Sequence, residues 1–157
     1  MIVGIDPGIN TGSVVGVELG DEHRVVAHRE IDIGSKDPAV PAFTDALSDV
    51  WHAEPDVEKA LIEFPNSQSY GRNNTAVMIG VCRVAAECAM WCLDHGLSNY
   101  HRDEVQLVRA DHLRRNKGKV IANSKRPRLY RRIFGTHPPD EHTRDAALMV
   151  AAKGGLI

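Results

Sequence analysis

Residues 1–12 of the chain read MIVGIDPGINTG, and this stretch decides the fold that we predict. Met1 to Ile5 is a short apolar run, and a second apolar run from Ser13 to Leu19 follows a turn rich in Gly, Pro, Asn and Thr. Two such runs joined by turn-forming residues predict a β-hairpin. Asp6 stands at the end of the first strand, where an aspartate is either a turn residue or, if it has partners downstream, a metal ligand.

The rest of the chain alternates between strand and helix patterns. The predicted elements are a third strand (Arg24 to Ile33), a helix (Pro41 to His52), a strand (Val57 to Phe64), a long helix (Thr75 to His95), a strand (Glu104 to Val108) and a final helix (Glu141 to Lys153). Three strands in succession followed by alternating helix and strand predict an α/β protein with a mixed sheet and helices on its faces. A length of 157 residues suits one domain, so we predict a single domain over residues 1–157.

The charge is unevenly distributed along the chain. The formal net charge is −2, yet residues 109–132 contain ten Lys or Arg and one acid, a net +9 that leaves −11 for the remainder. Such a basic segment is either a solvated face or a contact surface for nucleic acid phosphates. We find no apolar run of membrane-spanning length and no signal peptide, so we expect a cytoplasmic protein with no membrane partner.

The predicted helix from Thr75 to His95 is apolar around almost its whole circumference. One apolar stripe holds Val77, Val81, Val84, Cys88 and Trp91, and a second holds Ile79, Cys82, Ala86, Met90 and Leu93. The helix is therefore either enclosed by its own chain, or packed on the sheet by one stripe and on a second copy by the other. We favour a homodimer through this helix, because so small a chain has few elements to cover the second stripe. The three cysteines all lie here, and we interpret them as reduced packing groups, with an intersubunit disulfide as the alternative.

Three acids and a histidine occur at positions that could converge. Asp6 and Glu63 stand at or near the ends of apolar strands, and His142 and Asp145 are one turn apart on the final helix. Taken singly, each has an ordinary explanation as a turn residue, a strand-end ion pair or a residue of a first helical turn capped by Asp140. Taken together, their hard oxygen ligands favour Mg²⁺ or Mn²⁺ over zinc.

With these residues in view, the sequence resembles the Holliday-junction resolvases of the RuvC type, in the RNase H-like superfamily. The resemblance rests on GIDPGINTG around Asp6, ALIEFP around Glu63, and HTRDAALMVA around His142 and Asp145, and it spans nearly the whole chain. It implies an RNase H-like fold, with a five-stranded mixed sheet whose first three strands are antiparallel. It also implies two divalent ions at Asp6, Glu63, His142 and Asp145, and paired cuts in branched DNA that leave 5′-phosphate ends.

The chain departs from the family pattern at identifiable positions. His142 stands where many relatives have an acid, and Glu141 is a competing ligand on nearly the same helical face. Where relatives often place a base-stacking aromatic residue this chain has Asn66, so Phe64 and Tyr70 are the candidate substitutes. The chain ends soon after its last helix, which is the basis for expecting a phage-encoded member.

The resemblance gives the basic segment a role in holding DNA phosphates. The candidate DNA-binding side chains, besides Phe64 and Tyr70, are Arg114, Arg115, Lys117, Lys119, Lys125, Arg126 and Arg128. Three alternatives stay open from the sequence: a non-catalytic protein that binds branched DNA, a nuclease that also cuts forks or flaps, and a nucleotide-binding enzyme of the actin and sugar-kinase group. The last needs two such domains and a second phosphate hairpin, which the chain lacks.

Overall fold

A computed structural model describes residues 1–34, 39–53, 56–65, 75–97, 104–109 and 120–157. The strands are β1 (Ile2–Asp6), β2 (Thr11–Glu18), β3 (Arg24–Asp32), β4 (Lys59–Phe64) and β5 (Val105–Arg109). The helices are α1 (Ala39–Ala53), α2 (Thr75–Asp94), α3 (Arg126–Phe134) and α4 (Glu141–Lys153), and a 3₁₀ turn (Asn123–Lys125) leads into α3.

The five strands form one mixed sheet in the order β3-β2-β1-β4-β5. The first three strands are antiparallel neighbours, whereas β4 and β5 run parallel to β1 and to each other. The predicted five-stranded mixed sheet with an antiparallel start is therefore confirmed. Because β1 and β4 are parallel and adjacent, their carboxyl ends meet at the same edge of the sheet.

Helices cover both faces of the sheet, and alternation along the strands explains why. In β4, Ala60 and Ile62 pack with α1 and α2, while Leu61 points to the opposite face and packs with α3 and α4. Successive residues of a strand face opposite sides, so a central strand in a sheet covered twice is apolar throughout. Residues Ala60, Leu61 and Ile62 are all fully buried, which is the reason that this strand reads as a continuous apolar run.

Helix α2 buries one side and exposes another. Val81, Val84, Ala85, Cys88 and Cys92 are buried in the core, whereas Ile79 and Met90 are 61% and 55% exposed. By length and composition this helix could cross a membrane, so the expectation that no apolar run approaches that length is wrong. Its buried side packs in the core, and 28% of its apolar stretch is buried within this chain. The three cysteines are free within the chain, and burial raises the pKa of the Cys92 thiol to about 12.

Candidate active site

The first two acids of the site are brought together by the strand register. Asp6 is the last residue of β1, and Glu63 is the last but one of β4. The parallel ladder pairs Ile5 with Ile62, so the two carboxylates that follow stand side by side at the carboxyl edge of the sheet. Because Ile5 and Ile62 face the α1 and α2 side, alternation directs the two carboxylates to the opposite face, which α4 covers.

Helix α4 reaches the same edge through three local contacts. The Asp140 carboxylate caps the helix by accepting a hydrogen bond of 2.7 Å from the Thr143 amide, as predicted. The Thr143 hydroxyl shares a hydrogen bond of 2.9 Å with Ser13 on β2. Gly4 lets the helix approach β1, since a Cβ there would lie 2.8 Å from the carbonyl oxygen of Ala146. These contacts fix the first turn of α4 above the end of β1.

His142, rather than Glu141, forms a hydrogen bond with Asp6. Its Nδ1 lies 2.8 Å from the Asp6 Oδ2, whereas the neighbouring Glu141 is exposed. The hydrogen bond to Asp6 raises the pKa of His142, with the negative charges of Asp6 and other acids adding to it and burial opposing it. The pKa of Asp6 is raised by burial, and its bond to His142 offsets part of that increase. The two groups form one coupled acid-base pair.

Asp145 is held by two arginines. Its Oδ2 accepts a hydrogen bond from the Arg126 guanidinium, and its Oδ1 accepts one of 2.6 Å from Nε of Arg144. The Arg144 side chain is 8% exposed and also donates to Oδ1 of Asn123 at 2.6 Å, which ties α4 to the 3₁₀ turn. Both carboxylate oxygens of Asp145 are therefore engaged by positive groups.

Glu63 is the electrostatically least compensated member of the site. Burial and the negative charges of Asp6 and Asp145 raise its pKa to about 8, while Arg126 and His142 lower it in part. A carboxyl group with such surroundings retains a proton near neutral pH unless a cation joins it. The charges of Asp6, Asp145, Arg126 and His142 all act on Glu63, so these five side chains form one site.

The donor chemistry of this neighbourhood fits a hard divalent cation. Within the described ranges, no three His, Cys, Asp or Glu side chains form a ready-made metal cluster. The three carboxylates and one imidazole are nevertheless ligand types that Mg²⁺ and Mn²⁺ accept. Burial, with repulsion from neighbouring acids adding to it, raises the pKa values of Asp6 and Glu63, and a bound cation would favour their charged forms. These residues fit a divalent cation by their ligand types. Arg126 already binds Oδ2 of Asp145, an oxygen that could also bind the cation.

An open cleft of about 370 Å³ lies beside Asp6 and His142. The turn between β1 and β2 and one side of α2 form its walls, which are lined by Pro7, Gly8, Ile9, Asn10, Thr11, Val77 and Val81. Ile9 seats against Gly80 of α2, where a Cβ would come within 2.6 Å of its side chain. The cleft gives a substrate access to the Asp6 carboxylate.

The predicted DNA-binding residues are only partly described. Arg126 begins α3 and contacts Asp145, and the Lys125 and Arg128 side chains beside it in the chain are exposed. Phe64 packs against the core cluster at the end of β4 and is half-buried. The other candidates lie outside the described residues: Tyr70, Arg114, Arg115, Lys117 and Lys119.

Comparison with known proteins gives matches among solved structures. No protein-family model matches the chain, and no curated protein matches it. A structure of Thermus thermophilus RuvC in complex with a Holliday junction substrate superposes with a TM-score of 0.75 at 19% identity, covering 98% of this chain and 92% of that one. A second Thermus thermophilus RuvC structure gives 0.69 at 20% identity, covering 99% and 96%.

The chain has the RuvC fold. The predicted RNase H-like architecture is thereby confirmed over nearly its full length. At 19–20% identity the likeness to RuvC establishes the fold alone, so the roles of individual residues are argued from their own geometry.

The sequence did not reveal the polar contacts that support the site. Arg144, Asn123, Ser13 and Thr143 were not among the predicted site residues, yet they hold Asp145 and the start of α4. The available signal was Arg144, which stands directly before Asp145 at the start of an apolar helical run. A charged side chain on a helix face that must be buried needs a partner, and Asp145 is the nearest one.

Proposed function

We propose that the protein is a divalent-metal-dependent endonuclease that resolves Holliday junctions and related branched DNA. One observation carries the proposal: Asp6, Glu63 and the pair His142 and Asp145 meet at one edge of a RuvC-fold sheet. Concentrated carboxylates repel a polyanion unless cations join them. The matched Thermus thermophilus RuvC structure contains a Holliday junction substrate, which supports branched DNA as the substrate class here.

The site residues support phosphodiester hydrolysis that leaves 5′-phosphate ends. Two Mg²⁺ or Mn²⁺ ions held by Asp6, Glu63, His142 and Asp145 would activate a water molecule and stabilise the leaving 3′ oxygen. His142 orients the Asp6 carboxylate through their hydrogen bond. Arg144, through Asp145 and Asn123, fixes the helix that presents both ligands.

Positive side chains next to the acids supply the proposed DNA contacts. Arg126 and Arg128 lie in the first turn of α3 and Lys125 directly precedes it, and the segment before them contains most of the chain's other clustered basic residues. Lysine and arginine bind phosphates without reading base sequence, so these residues would set affinity and its dependence on salt. Junction structure, rather than a base code, is then the feature that is recognised.

A homodimer through α2 is part of the same proposal. Ile79 and Met90 lie on one side of this helix and are more than half exposed, which gives a second copy an apolar surface to cover. A two-fold axis would place two sites on one junction, so that two strands are cut as a pair. A monomer could not pair its cuts.

A non-catalytic protein that binds branched DNA is the second candidate. It is favoured by one observation, that both oxygens of Asp145 are already bound by arginines. Against it, a binding protein gains nothing from burying Glu63 beside two further acids, because that charge repels DNA.

Cleavage of labelled synthetic DNA tests the proposal. Four-way junction, fork, flap and duplex substrates are incubated with Mg²⁺, Mn²⁺ or chelator, using wild type, Asp6→Asn and Glu141→Gln. We expect paired, metal-dependent nicks at the junction that Asp6→Asn abolishes and the exposed control Glu141→Gln retains. Junction binding without cuts would favour the second candidate. The absence of both binding and cutting would rule out both candidates.

A further inference from the structure

Arg126 binds one of the carboxylates that would hold a cation. It is the first residue of α3, and its guanidinium donates to Oδ2 of Asp145 while its Nε donates to the Ile121 carbonyl oxygen at 3.3 Å. Its positive charge also lowers the pKa of Glu63. One guanidinium therefore offsets two of the three carboxylates.

The two arginines on Asp145 differ in how firmly they are held. Arg144 is 8% exposed and is anchored at its far side by Asn123, so its bond to Oδ1 belongs to the packing of α4. The Arg126 side chain is 19% exposed and lies at the start of a helix whose neighbouring Lys125 and Arg128 face solvent. The Oδ1 contact of Asp145 is therefore the more deeply buried and better anchored of the two, and the Oδ2 contact lies nearer to solvent.

We propose that Arg126 is a positioning residue that competes with a divalent cation for Oδ2 of Asp145 and transfers to a DNA phosphate when the cation binds. This inference rests on the proposed function, because it assumes a cation at Asp145 and DNA beside it. The guanidinium matches a phosphate as well as a carboxylate, since both accept two parallel hydrogen bonds. A cation at Oδ2 repels the guanidinium, and phosphate oxygens next to Lys125 and Arg128 offer it new partners.

The device couples metal loading to DNA binding. Without metal, Arg126 neutralises the acids and is withheld from DNA. With metal, the acids are neutralised by the cation and Arg126 adds a phosphate contact. Each ligand therefore strengthens the binding of the other, because both favour the same position of one side chain.

Calorimetric titration of Mn²⁺ without DNA tests the competition. We expect Arg126→Gln to bind Mn²⁺ about tenfold more tightly than wild type, because a charge-assisted hydrogen bond no longer has to break. Arg126→Lys keeps the positive charge but loses the planar guanidinium donors, so its Mn²⁺ affinity should lie between those of wild type and Arg126→Gln. Arg128→Gln removes the same charge from an exposed neighbour and should change the affinity by about twofold or less.

Equal Mn²⁺ affinity in wild type and Arg126→Gln would overturn the inference, as would equal gains in Arg126→Gln and Arg128→Gln. Circular dichroism checks that each variant is folded. Junction affinity with and without Ca²⁺, measured by fluorescence anisotropy, tests the transfer: Ca²⁺ should strengthen binding more in wild type than in Arg126→Gln. Equal strengthening in both would show that Arg126 does not move to DNA.

The same data separate this inference from the proposed function. Junction cutting together with unchanged Mn²⁺ affinity in Arg126→Gln would remove the inference and keep the nuclease. A gain in Mn²⁺ affinity without any cutting would keep the competition and remove the nuclease. Absence of Mn²⁺ binding in every variant would contradict both.

Discussion

His142 on α4 and Asp6 at the end of β1 lie 2.8 Å apart between Nδ1 and Oδ2, although 136 residues separate them in the chain. The bond joins the last helix to the first strand at the point where the candidate ligands meet. It also makes the protonation of His142 part of the stability of the fold, because that bond raises the pKa of the imidazole.

We expect His142→Ala to destabilise the metal-free protein more in acid than in base. A histidine whose pKa is raised on folding contributes stability that is complete below its ordinary pKa of 6.5 and is lost as the pH rises through the higher folded value. The expected loss is about 1 kcal/mol near pH 6 and less near pH 9, from urea denaturation. His137→Ala, an exposed histidine, is the control. A loss for His142→Ala that is independent of pH would contradict the prediction.

Glu63→Gln should stabilise the metal-free protein in base. The folded state holds the Glu63 proton up to about pH 8, whereas the unfolded chain releases it near the ordinary value of 4.5. The native state therefore binds more protons between these limits, and wild type loses stability as the pH rises through them.

The amide cannot ionise, so Glu63→Gln should gain about 2 to 4 kcal/mol over wild type near pH 8 and little near pH 4. Denaturant titrations at both pH values measure the gain. Glu30→Gln, an exposed acid on β3, serves as the control and should show no gain. Equal stability of Glu63→Gln and wild type near pH 8 would show that Glu63 is not strained in the folded protein.

Divalent cations should stabilise the folded protein, and chelation should reverse the effect. A ligand at about 100 times its Kd adds about 2.7 kcal/mol, which corresponds to a Tm increase of several degrees for a chain of this length. Mg²⁺ should raise the Tm more near pH 8 than near pH 5, because at low pH protons occupy Glu63 and Asp6. NaCl at equal ionic strength is the control. An equal Mg²⁺ shift in Asp6→Asn would place the cation elsewhere.

Ile79→Glu should convert the proposed dimer to a monomer without unfolding it. The Ile79 side chain is 61% exposed in the single chain, so a glutamate costs little there but would place a charge in an apolar interface. Light scattering coupled to gel filtration gives the mass. Val120→Glu is a matched control, since Val120 is 54% exposed and lies outside α2, in the segment before α3. If wild type is already monomeric, or Ile79→Glu stays dimeric, the proposed interface is wrong.

Arg144→Met should lower the free energy of unfolding by about 2 kcal/mol, because it removes the buried donor to the part-buried carboxylate of Asp145 and to Oδ1 of Asn123. The exposed Arg131→Met on α3 should change it by about 0.5 kcal/mol or less. Combining Arg144→Met with Asp145→Asn should cost less than the sum of the two single changes, because they act on one interaction. Strict additivity of the two losses would indicate that Arg144 acts through packing alone.

The local elements could be predicted from the sequence, because each is written in a short pattern. The hairpin up to Asp6 follows from two apolar runs and a turn, and the predicted α4 matches the observed Glu141–Lys153. Other boundaries moved by one or two residues: α1 begins at Ala39 rather than Pro41, and β4 begins at Lys59 rather than Val57. The first and last residues of a helix or strand depend on hydrogen bonds to other segments, which the local sequence pattern does not specify.

The candidate ligand set could be predicted from residue order alone, because strand ends and one helix face carry Asp6, Glu63, His142 and Asp145. Their hydrogen-bond partners became known from the fold. In the fold, His142 rather than Glu141 forms the hydrogen bond to Asp6. Arg126 and Arg144 bind the two carboxylate oxygens of Asp145. Periodicity states which face of an element a side chain is on, but a hydrogen bond depends on the distance between segments far apart in the chain, and only packing sets that distance.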